Sequence, residues 1–450
     1  MPPVADSETL AALGRALHLL EGTPRDFDPL LRRAAGASVV LLGEASHGTH
    51  EFYRVRAEIT KRLIREHGFS AVAVEADWPD AYRVNRFVRG RPGDEDSEEA
   101  LGGFRRFPQW MWRNADVLDF VGWLRAHNET LSGPDAGVGF YGLDLYSLHT
   151  SMAAVIEYLH LVDPAAAERA ARRYSCFDHF GQDPQEYGYA ATAGLSPSCE
   201  REVLSQLVEL RAAATEYARR DGRVAPDDLF FAERNAQVVA TAERYYREMF
   251  LSHAGSWNLR DRHMAETLEA LLRFLESRGR APRVVVWAHN SHQGDARATE
   301  LSHRGEVTLG QLARERWGER ALLVGFTTWT GSVTAASDWG GPVERKGVRP
   351  ALADSYEALF HGAGGFNFYL DLGTRSEAVQ ALKTPRLERA IGVIYRPETE
   401  RLSHYFHARL PDQFDAVFHY DHTRAVEPLE RTPVWERGTA ELPETFPSAL

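Results

Sequence analysis

With 450 residues, 44% of them hydrophobic and 26% charged, the chain has the composition of a globular protein with a sizeable core, in one large domain or two. A formal net charge of −12 argues against the basic surface that nucleic-acid binding requires. Cys176 and Cys199 are the only cysteines, too few for a disulfide framework. Because we find no secretory signal and no apolar run near the ~20 residues of a membrane span, we expect a cytoplasmic protein without a membrane partner.

The first chemically informative stretch joins a strand to a helix. Residues 38–42 form an apolar, β-branched run, and a polar loop with Glu44, His47 and His50 follows before helical spacing resumes at residue 51. Ligands of open α/β sheets bind beyond the carboxyl ends of the strands, so we predict a site in this loop. The alternative is a polar loop that only caps the next helix.

Two further predicted strands end at acidic residues. Residues 70–75 end at Glu75. If this strand is a neighbour of the first in a parallel sheet, Glu44 and Glu75 lie roughly 5 to 10 Å apart. Residues 136–142 lead to Asp144, which either belongs to the site or caps the following helix.

The segment from about 151 to 280 has an almost wholly helical pattern. We interpret it as a helical subdomain inserted between sheet strands, which forms a lid or cleft wall or only covers one face of the sheet. Arg260 and Asp261 within it are either a structural ion pair or part of the site.

Histidines follow the next predicted strand. Residues 283–288 end at His289 and His292, and two imidazoles at one strand end beside two Glu at others favour a functional role. Residues 321–328 form another buried strand, followed by Trp329.

The last predicted strands are residues 367–371 and 390–395. The tail that follows, to residue 450, is rich in Pro, Glu and Thr. We expect its histidines at a surface or interface; they are His404, His407, His419 and His422.

Together these elements predict a three-layer α/β fold with a mostly parallel central sheet and a large helical insertion. The chain would then divide into residues 1–150, the first part of the core domain; 151–280, the inserted helices or lid; and 281–450, the remainder of the core and a C-terminal tail.

The residues at the strand ends suit hydrolysis. A nearby carboxylate orients an imidazole and raises its pKa, so the imidazole can remove a proton from water near neutral pH. No Gly-x-Ser-x-Gly sequence is present, which argues against a serine nucleophile. The predicted catalytic set is Glu44, His47, Arg56, Glu75, His289 and His292. The predicted substrate contacts are His50, Trp78, Asp144, Arg260 and Trp329.

The segment 43–49, Gly-Glu-Ala-Ser-His-Gly-Thr, resembles the Gly-Glu-x-x-His motif of the erythromycin esterase-like family. Residues 257–264 and the pair His289 and His292 are similar to further motifs of that family in the same order. The resemblance implies a hydrolase of a small-molecule ester or macrolactone, without a cofactor and with His47 as general base. A protonated His289 or His292, or Arg56, would stabilise the oxyanion. The resemblance also suggests a macrolide as the substrate and antibiotic resistance as the role, but the sequence does not decide this. It does not give the oligomeric state either.

Two other functions are consistent with the same residues. The fold superfamily is similar to that of haem-binding iron-uptake proteins and metal-dependent proteases, so one alternative is a Zn²⁺ or Mn²⁺ hydrolase. Its ligands would come from His47, His50, Glu75, His289 and His292. The other alternative is a binding protein for haem or another small ligand, against which the surplus of carboxylates counts.

Overall fold

The computed structural model describes residues 7–132, 137–181, 183–220 and 226–438. The strands are β1 His18–Leu19, β2 Val39–Leu42, β3 Ala71–Asp77, β4 Gly139–Asp144, β5 Val284–Trp287, β6 Ala321–Ala335, β7 Glu344–Val348, β8 Phe368–Asp371, β9 Arg386–Arg389, β10 Tyr405–Ala408 and β11 Ala416–Thr423.

The α-helices are α1 Ser7–Ala16, α2 Asp28–Ala34, α3 His50–His67, α4 Trp78–Val88, α5 Ser97–Ala100, α6 Ala115–Glu129, α7 Leu148–Val162, α8 Pro164–Tyr174, α9 Pro184–Thr192, α10 Glu200–Arg220, α11 Pro226–Glu248, α12 His253–Ser277, α13 Asn290–Gln293, α14 Leu309–Trp317, α15 Tyr356–Gly362, α16 Glu377–Ala381, α17 Glu400–Ser403, α18 Leu410–Gln413 and α19 Pro433–Arg437. Short 3₁₀ turns occur at Pro24–Phe27, Leu101–Gly103, Gln109–Met111, Ser175–Phe180, Ala296–Ala298, Glu300–Arg304, Gly318–Arg320 and Pro397–Thr399.

One sheet carries the fold. Its strand order is β1-β8-β11-β6-β2-β5-β3-β4, and β7 pairs with the far end of β6. From β11 to β4 every neighbouring pair is parallel, whereas β8 and β1 continue the sheet antiparallel beyond β11. Since the central strands run in one direction, their carboxyl ends meet at one edge of the sheet, which is where the polar loops lie.

Helices cover both faces of the sheet. Successive side chains of a strand point to opposite faces. Val40 and Leu42 accordingly belong to a core with α3, α4 and α6, whereas Val39 and Leu41 belong to a second core with α12, α14 and α15. A strand buried on both faces has no polar alternation, which explains the continuous apolar runs. The predicted three-layer α/β fold is confirmed.

Helices α7 to α12 fill the chain between β4 and β5. Those from α7 to α11 share an apolar core of their own, and α12 instead packs its Met264 and Leu268 against the sheet. A disulfide joins Cys176 to Cys199 in this part, a pairing that the sequence does not predict. None of the described helices is both long and apolar enough to cross a membrane.

Two expectations about the strands are corrected. The strand β5 lies between β2 and β3, so the strands that lead to Glu44 and Glu75 are not neighbours. Residues 390–395 form only isolated bridges, and the strand that continues the sheet is β11.

The C-terminal histidines are divided. His419 on β11 is fully buried and His404 is largely buried, contrary to a surface role, while His407 and His422 are exposed. The end of the predicted tail, residues 439–450, lies outside the described residues.

Candidate active site

The site lies at the carboxyl edge of the sheet, where the loops after β2, β3, β4 and β5 meet. The loop after β2 is anchored at Gly48, whose carbonyl oxygen accepts hydrogen bonds from the backbone N–H of Thr334 and of Val426. A Cβ atom at Gly48 would overlap the Thr334 carbonyl, so only glycine allows this close approach. The position of His47, one residue earlier, is fixed by backbone contacts.

His47 is held by Glu44. The distance from His47 Nδ1 to Glu44 Oε1 is 2.9 Å, and the Tyr53 hydroxyl donates to the His47 carbonyl at 2.8 Å. Since a carboxylate only accepts, we assign the proton to Nδ1, which leaves the Nε2 lone pair as the basic position. No hydrogen bond to Nε2 is present among the described residues. The imidazole is thus arranged to accept a proton.

The other oxygen of Glu44 faces Arg56. Arg56 NH2 lies 2.6 Å from Glu44 Oε2, as a close ion pair without hydrogen-bond alignment, and both side chains are almost fully buried. The guanidinium also lies 4.5 Å from the centre of the Tyr53 ring and 5.2 Å from that of Trp287. Arg56 therefore neutralises and positions Glu44 from behind and does not reach the cavity.

His289 is a neutral imidazole in this arrangement. Its Nε2 lies 3.2 Å from the Ile391 carbonyl oxygen, so this nitrogen carries the proton, while Nδ1 accepts from the Ser291 backbone N–H. Burial and the nearby His47 lower the pKa of His289 well below its usual value. The expectation that a protonated His289 stabilises an oxyanion is corrected, because both ring nitrogens are occupied and the charged form is disfavoured.

His292 has the opposite environment. Its Nδ1 lies 2.9 Å from Asp261 Oδ2, and its Nε2 lies 3.0 Å from Arg260 NH1 and 3.5 Å from Glu75 Oε1. Burial lowers the pKa of His292, but the carboxylates of Asp261 and Glu75 outweigh burial and the net shift is upward. Its ring also stacks on Trp257 at 4.5 Å. His292 is thereby fixed among charged groups behind the cavity wall.

Arg260 connects the acidic strand ends. Its NH2 donates to Glu75 Oε1 and to Asp144 Oδ2, both at 2.6 Å, and its Nε donates to Asp144 Oδ1 at 3.0 Å. Burial raises the pKa of Glu75, but the positive charges of His292 and Arg260 lower it by more, and the His289 backbone N–H donates a hydrogen bond that lowers it further. The Glu75 carboxyl therefore stays ionised far below neutral pH. Arg260 therefore lines the cavity and forms its ion pairs with Glu75 and Asp144. The predicted ion pair between Arg260 and Asp261 is wrong, because Asp261 pairs with His292 instead.

A cavity of about 200 Å³ opens above these groups. Its charged floor contains His47, Glu75, Asp77, Asp144 and Arg260. Its apolar lining comes from loops far apart in the chain. Four of these residues are partly or well exposed and form a rim, namely Phe107, Pro108, Trp339 and Val393, whereas Phe104, Met111 and Trp112 are buried. The exposed Trp339 contacts Phe107 with ring centres 5.0 Å apart. The cavity thus combines charged groups with apolar surface, as expected for a small amphipathic ligand.

The family of this chain is shown by comparison with known proteins. The sequence profile of the erythromycin esterase family matches residues 64–423. The chain belongs to the erythromycin esterase family. The matched residues begin after Glu44 and His47, so the profile covers Glu75, Asp144, Arg260, His289 and His292 but not the first motif.

Individual relatives of this erythromycin esterase family member are distant. Erythromycin esterase type II of Escherichia coli is 22% identical over 424 residues, with 89% of this chain and 93% of the relative covered. A protein from Bacillus cereus has the same fold with a TM-score of 0.78 at 19% identity, covering 95% of this chain and all of that one. A mutant of the erythromycin esterase EreC in its open conformation has a TM-score of 0.64 at 19% identity, covering 90% and 95%.

In the structure of this family member, three of the predicted substrate contacts do not line this cavity. Trp78 is buried against Tyr141 and donates from its indole to the Phe231 carbonyl. Trp329 stacks on His361, with ring centres 4.3 Å apart. His50 bonds Asp116 at 2.8 Å and lines a different cavity. Trp78 therefore packs in the core, whereas Trp329 is half-buried outside it.

The predicted metal ligands do not form a metal site. Among the described residues no three His, Cys, Asp or Glu side chains are arranged to hold an ion. His50 is turned to Asp116, both nitrogens of His289 are occupied, and a guanidinium stands 3.0 Å from His292 Nε2, where a cation would be repelled. A haem-binding function would use His47 or His289 as the axial ligand. Both ring nitrogens of His289 are already bonded, whereas among the described residues only Nδ1 of His47 is.

Several cavity residues were not predicted from the sequence, among them Asp77, Asp80, Arg106, Tyr146 and the rim residues. The sequence did carry a signal for Asp77 and Asp80, since both acidic residues follow Glu75 within five positions, at the end of β3 and the start of α4. Arg106 donates to Asp77 at 2.8 Å and lies 4.8 Å from the Tyr146 ring centre, but nothing in the sequence near residue 106 indicates a site.

Proposed function

We propose that this protein hydrolyses a carboxylic ester or lactone of a small molecule, with His47 as the general base. The observation that carries the proposal is the pairing of His47 Nδ1 with Glu44 at 2.9 Å while the same histidine lines the cavity. A buried carboxylate behind Nδ1 fixes the tautomer and stabilises the imidazolium that forms when Nε2 takes a proton.

The proposed reaction uses the rest of the charged floor to balance charge. His47 Nε2 takes a proton from water, and the oxygen of that water attacks the ester carbonyl carbon. The developing oxyanion is stabilised by Arg260, the buried guanidinium at the cavity, whose pKa is held well above its usual value by Asp144 and Glu75 despite burial. Collapse of the tetrahedral intermediate releases the alcohol and the carboxylate. Glu75 and Asp144 position Arg260, and His292 with Asp261 supports it from behind.

A macrolactone is one substrate that this arrangement favours. The relatives with the names erythromycin esterase types I and II motivate the choice, and the apolar rim with Trp339 and Phe107 offers a surface for an apolar ring. Simple esters that reach the same floor are the second class to assay.

The deciding experiment compares wild type with His47→Ala on a panel of macrolactones and simple esters, with mass-spectrometric detection of water addition. We expect wild type to form the product and His47→Ala to lose about 10² to 10⁴ in kcat. His303→Ala, an exposed histidine remote from the cavity, is the matched control and keeps the wild-type rate. Full activity in His47→Ala would refute the proposal.

A further inference from the structure

Asp80 has a carboxyl group on the wall of the same cavity and has no part in the steps proposed above. It lies in the first turn of α4, half-buried, and lines the same cavity as His47 and Arg260. Within the described part of the chain its side chain has no ion pair and no hydrogen bond. The other acidic side chains named at this cavity, Asp77, Glu75 and Asp144, each face an arginine.

The charged groups around Asp80 are bonded to other partners. On its own side of the sheet, Arg83 pairs with Asp94 at 2.6 Å. From the facing loop, Arg106 pairs with Asp77 at 2.8 Å, and Arg105 Nε donates to the Gly102 carbonyl. The Asp80 carboxyl is therefore next to one carboxylate, Asp77, without a cation bonded to it.

Gly103 leaves room for this carboxyl. A Cβ atom at Gly103 would lie 3.1 Å from Asp80 Oδ1, tighter than most side-chain contacts, and at an ordinary 3.4 Å from its Cα. The absence of a side chain there allows the 101–103 turn to approach α4 without covering the carboxyl. Asp80 is thus unpaired, next to a glycine and open to the cavity.

We propose that Asp80 is the general acid of this site and gives its proton to the leaving alcohol oxygen. The inference rests on the proposed ester hydrolysis. Burial, together with the neighbouring Asp77, raises the pKa of Asp80 to about 7, while Arg106, Arg83 and Arg105 oppose the rise. A carboxyl with such a pKa is still partly protonated at neutral pH and is a suitable proton donor.

The proton balance is complete with two groups. His47 removes one proton from the attacking water, and the carbonyl carbon gains the hydroxyl oxygen. As the bond from that carbon to the alkoxy oxygen breaks, the oxygen takes the proton of Asp80 and leaves as an alcohol. His47 then loses its proton to solvent in the cavity and Asp80 regains one, so that the net reaction is ester plus water giving acid plus alcohol.

The test depends on the leaving group. p-Nitrophenol leaves readily as an anion, whereas an alkyl alcohol must be protonated as it leaves. The two substrates to compare are p-nitrophenyl butyrate and ethyl butyrate. Each is assayed with wild type and with Asp80→Asn, which keeps the shape of the side chain but has no acidic proton. The matched control is Asp119→Asn, which changes an exposed aspartate on α6. We expect Asp80→Asn to lower kcat for the ethyl ester about 10² or more and for the p-nitrophenyl ester less than about 3-fold.

The pH profile gives a second readout. Wild-type kcat for ethyl butyrate should fall as pH rises through about 7, as Asp80 loses its proton, and this decline should be absent for p-nitrophenyl butyrate and for the variant. Equal losses on both esters would indicate a positioning or structural role and overturn the inference.

A second variant keeps the inference testable if Asp80→Asn does not fold. Gly103→Ala places a methyl group against Asp80 and should lower the ethyl ester rate selectively; an unchanged ratio of the two rates overturns the inference. Failure of this inference can be told apart from failure of the proposed function. An inactive wild type or an active His47→Ala refutes both. An inactive His47→Ala, combined with equal losses on both esters in Asp80→Asn, refutes only the role of Asp80 as general acid.

Discussion

Glu44 supports both the chemistry and the fold, and these two roles can be separated. In Glu44→Gln the shape is kept but the negative charge is lost, so His47 loses its anionic partner and Arg56 is left as a buried cation. The Arg56 side chain is fully buried and that of Glu44 is 2% exposed, which excludes the solvent-screened regime in which an ion pair contributes under about 1 kcal/mol. Loss of one partner of such a buried pair costs about 3 to 5 kcal/mol of unfolding free energy.

A double-mutant cycle that combines Glu44→Gln with Arg56→Met measures how much of the lost stability comes from leaving Arg56 as an unpaired buried cation. Methionine is apolar and unbranched, and the Arg56 side chain lies against the rings of Tyr53 and Trp287, so the double variant carries no buried charge at this position. We expect Glu44→Gln to lose about 3 to 5 kcal/mol by urea unfolding and the double variant to recover most of it. Ester hydrolysis should fall about 10² to 10⁴ in Glu44→Gln and stay low in the double variant, because His47 still lacks its carboxylate.

Glu58→Gln is the control for this cycle. It changes a largely exposed glutamate on the same helix α3 and should alter neither stability by more than about 0.5 kcal/mol nor activity. If Glu44→Gln unfolds like wild type, or if the double variant regains activity, then the reasoning about Glu44 is wrong.

Two further predictions concern pH and the rim. Burial, together with Arg234, lowers the pKa of His263 to about 4. Between pH 6.5 and pH 4 the histidine is therefore neutral in the folded state and protonated in the unfolded state. As the pH falls through this range, about 3 kcal/mol of unfolding free energy is lost. In urea unfolding at several pH values, His263→Gln should be less acid-sensitive than wild type, and parallel curves would contradict this. Trp339 is 63% exposed at the rim, so Trp339→Ala should raise KM for bulky apolar esters about tenfold, or ~1.4 kcal/mol, without changing kcat or stability. Acetate esters and the exposed Leu402→Ala serve as comparisons, and an equal rise for acetate would contradict an apolar contact.

The sequence was informative where a single strand and its loop carry the signal. The apolar runs before Glu44, Glu75 and His289 each stop at a polar cluster, and the parallel sheet does place these three strand ends on one edge. Strand order was not readable, because it depends on pairing between distant segments. The position of β5 between β2 and β3 therefore appeared only in the structure, and it explains why the His289 backbone reaches Glu75.

Long-range pairing also explains the remaining errors. The strand β11 has the sequence Ala-Val-Phe-His-Tyr-Asp-His-Thr, whose polar residues obscure a strand buried between β6 and β8. His419 is tolerated inside because it bonds the Thr327 hydroxyl at 2.9 Å. The rim could not be predicted, since Phe107 and Trp339 lie more than 200 residues apart and only folding brings them together.

The cavity separates the groups proposed for chemistry from those that meet a ligand first. The floor is formed by strand ends and ion pairs that depend on one another, so changes there would disturb several residues at once. The rim is formed by loops with Phe107, Trp339 and Val393, which the ion pairs of the floor do not involve. For laboratory evolution, randomising these three rim positions offers a way to search new substrates while the hydrolytic groups stay intact, and natural divergence within the family has the same route open.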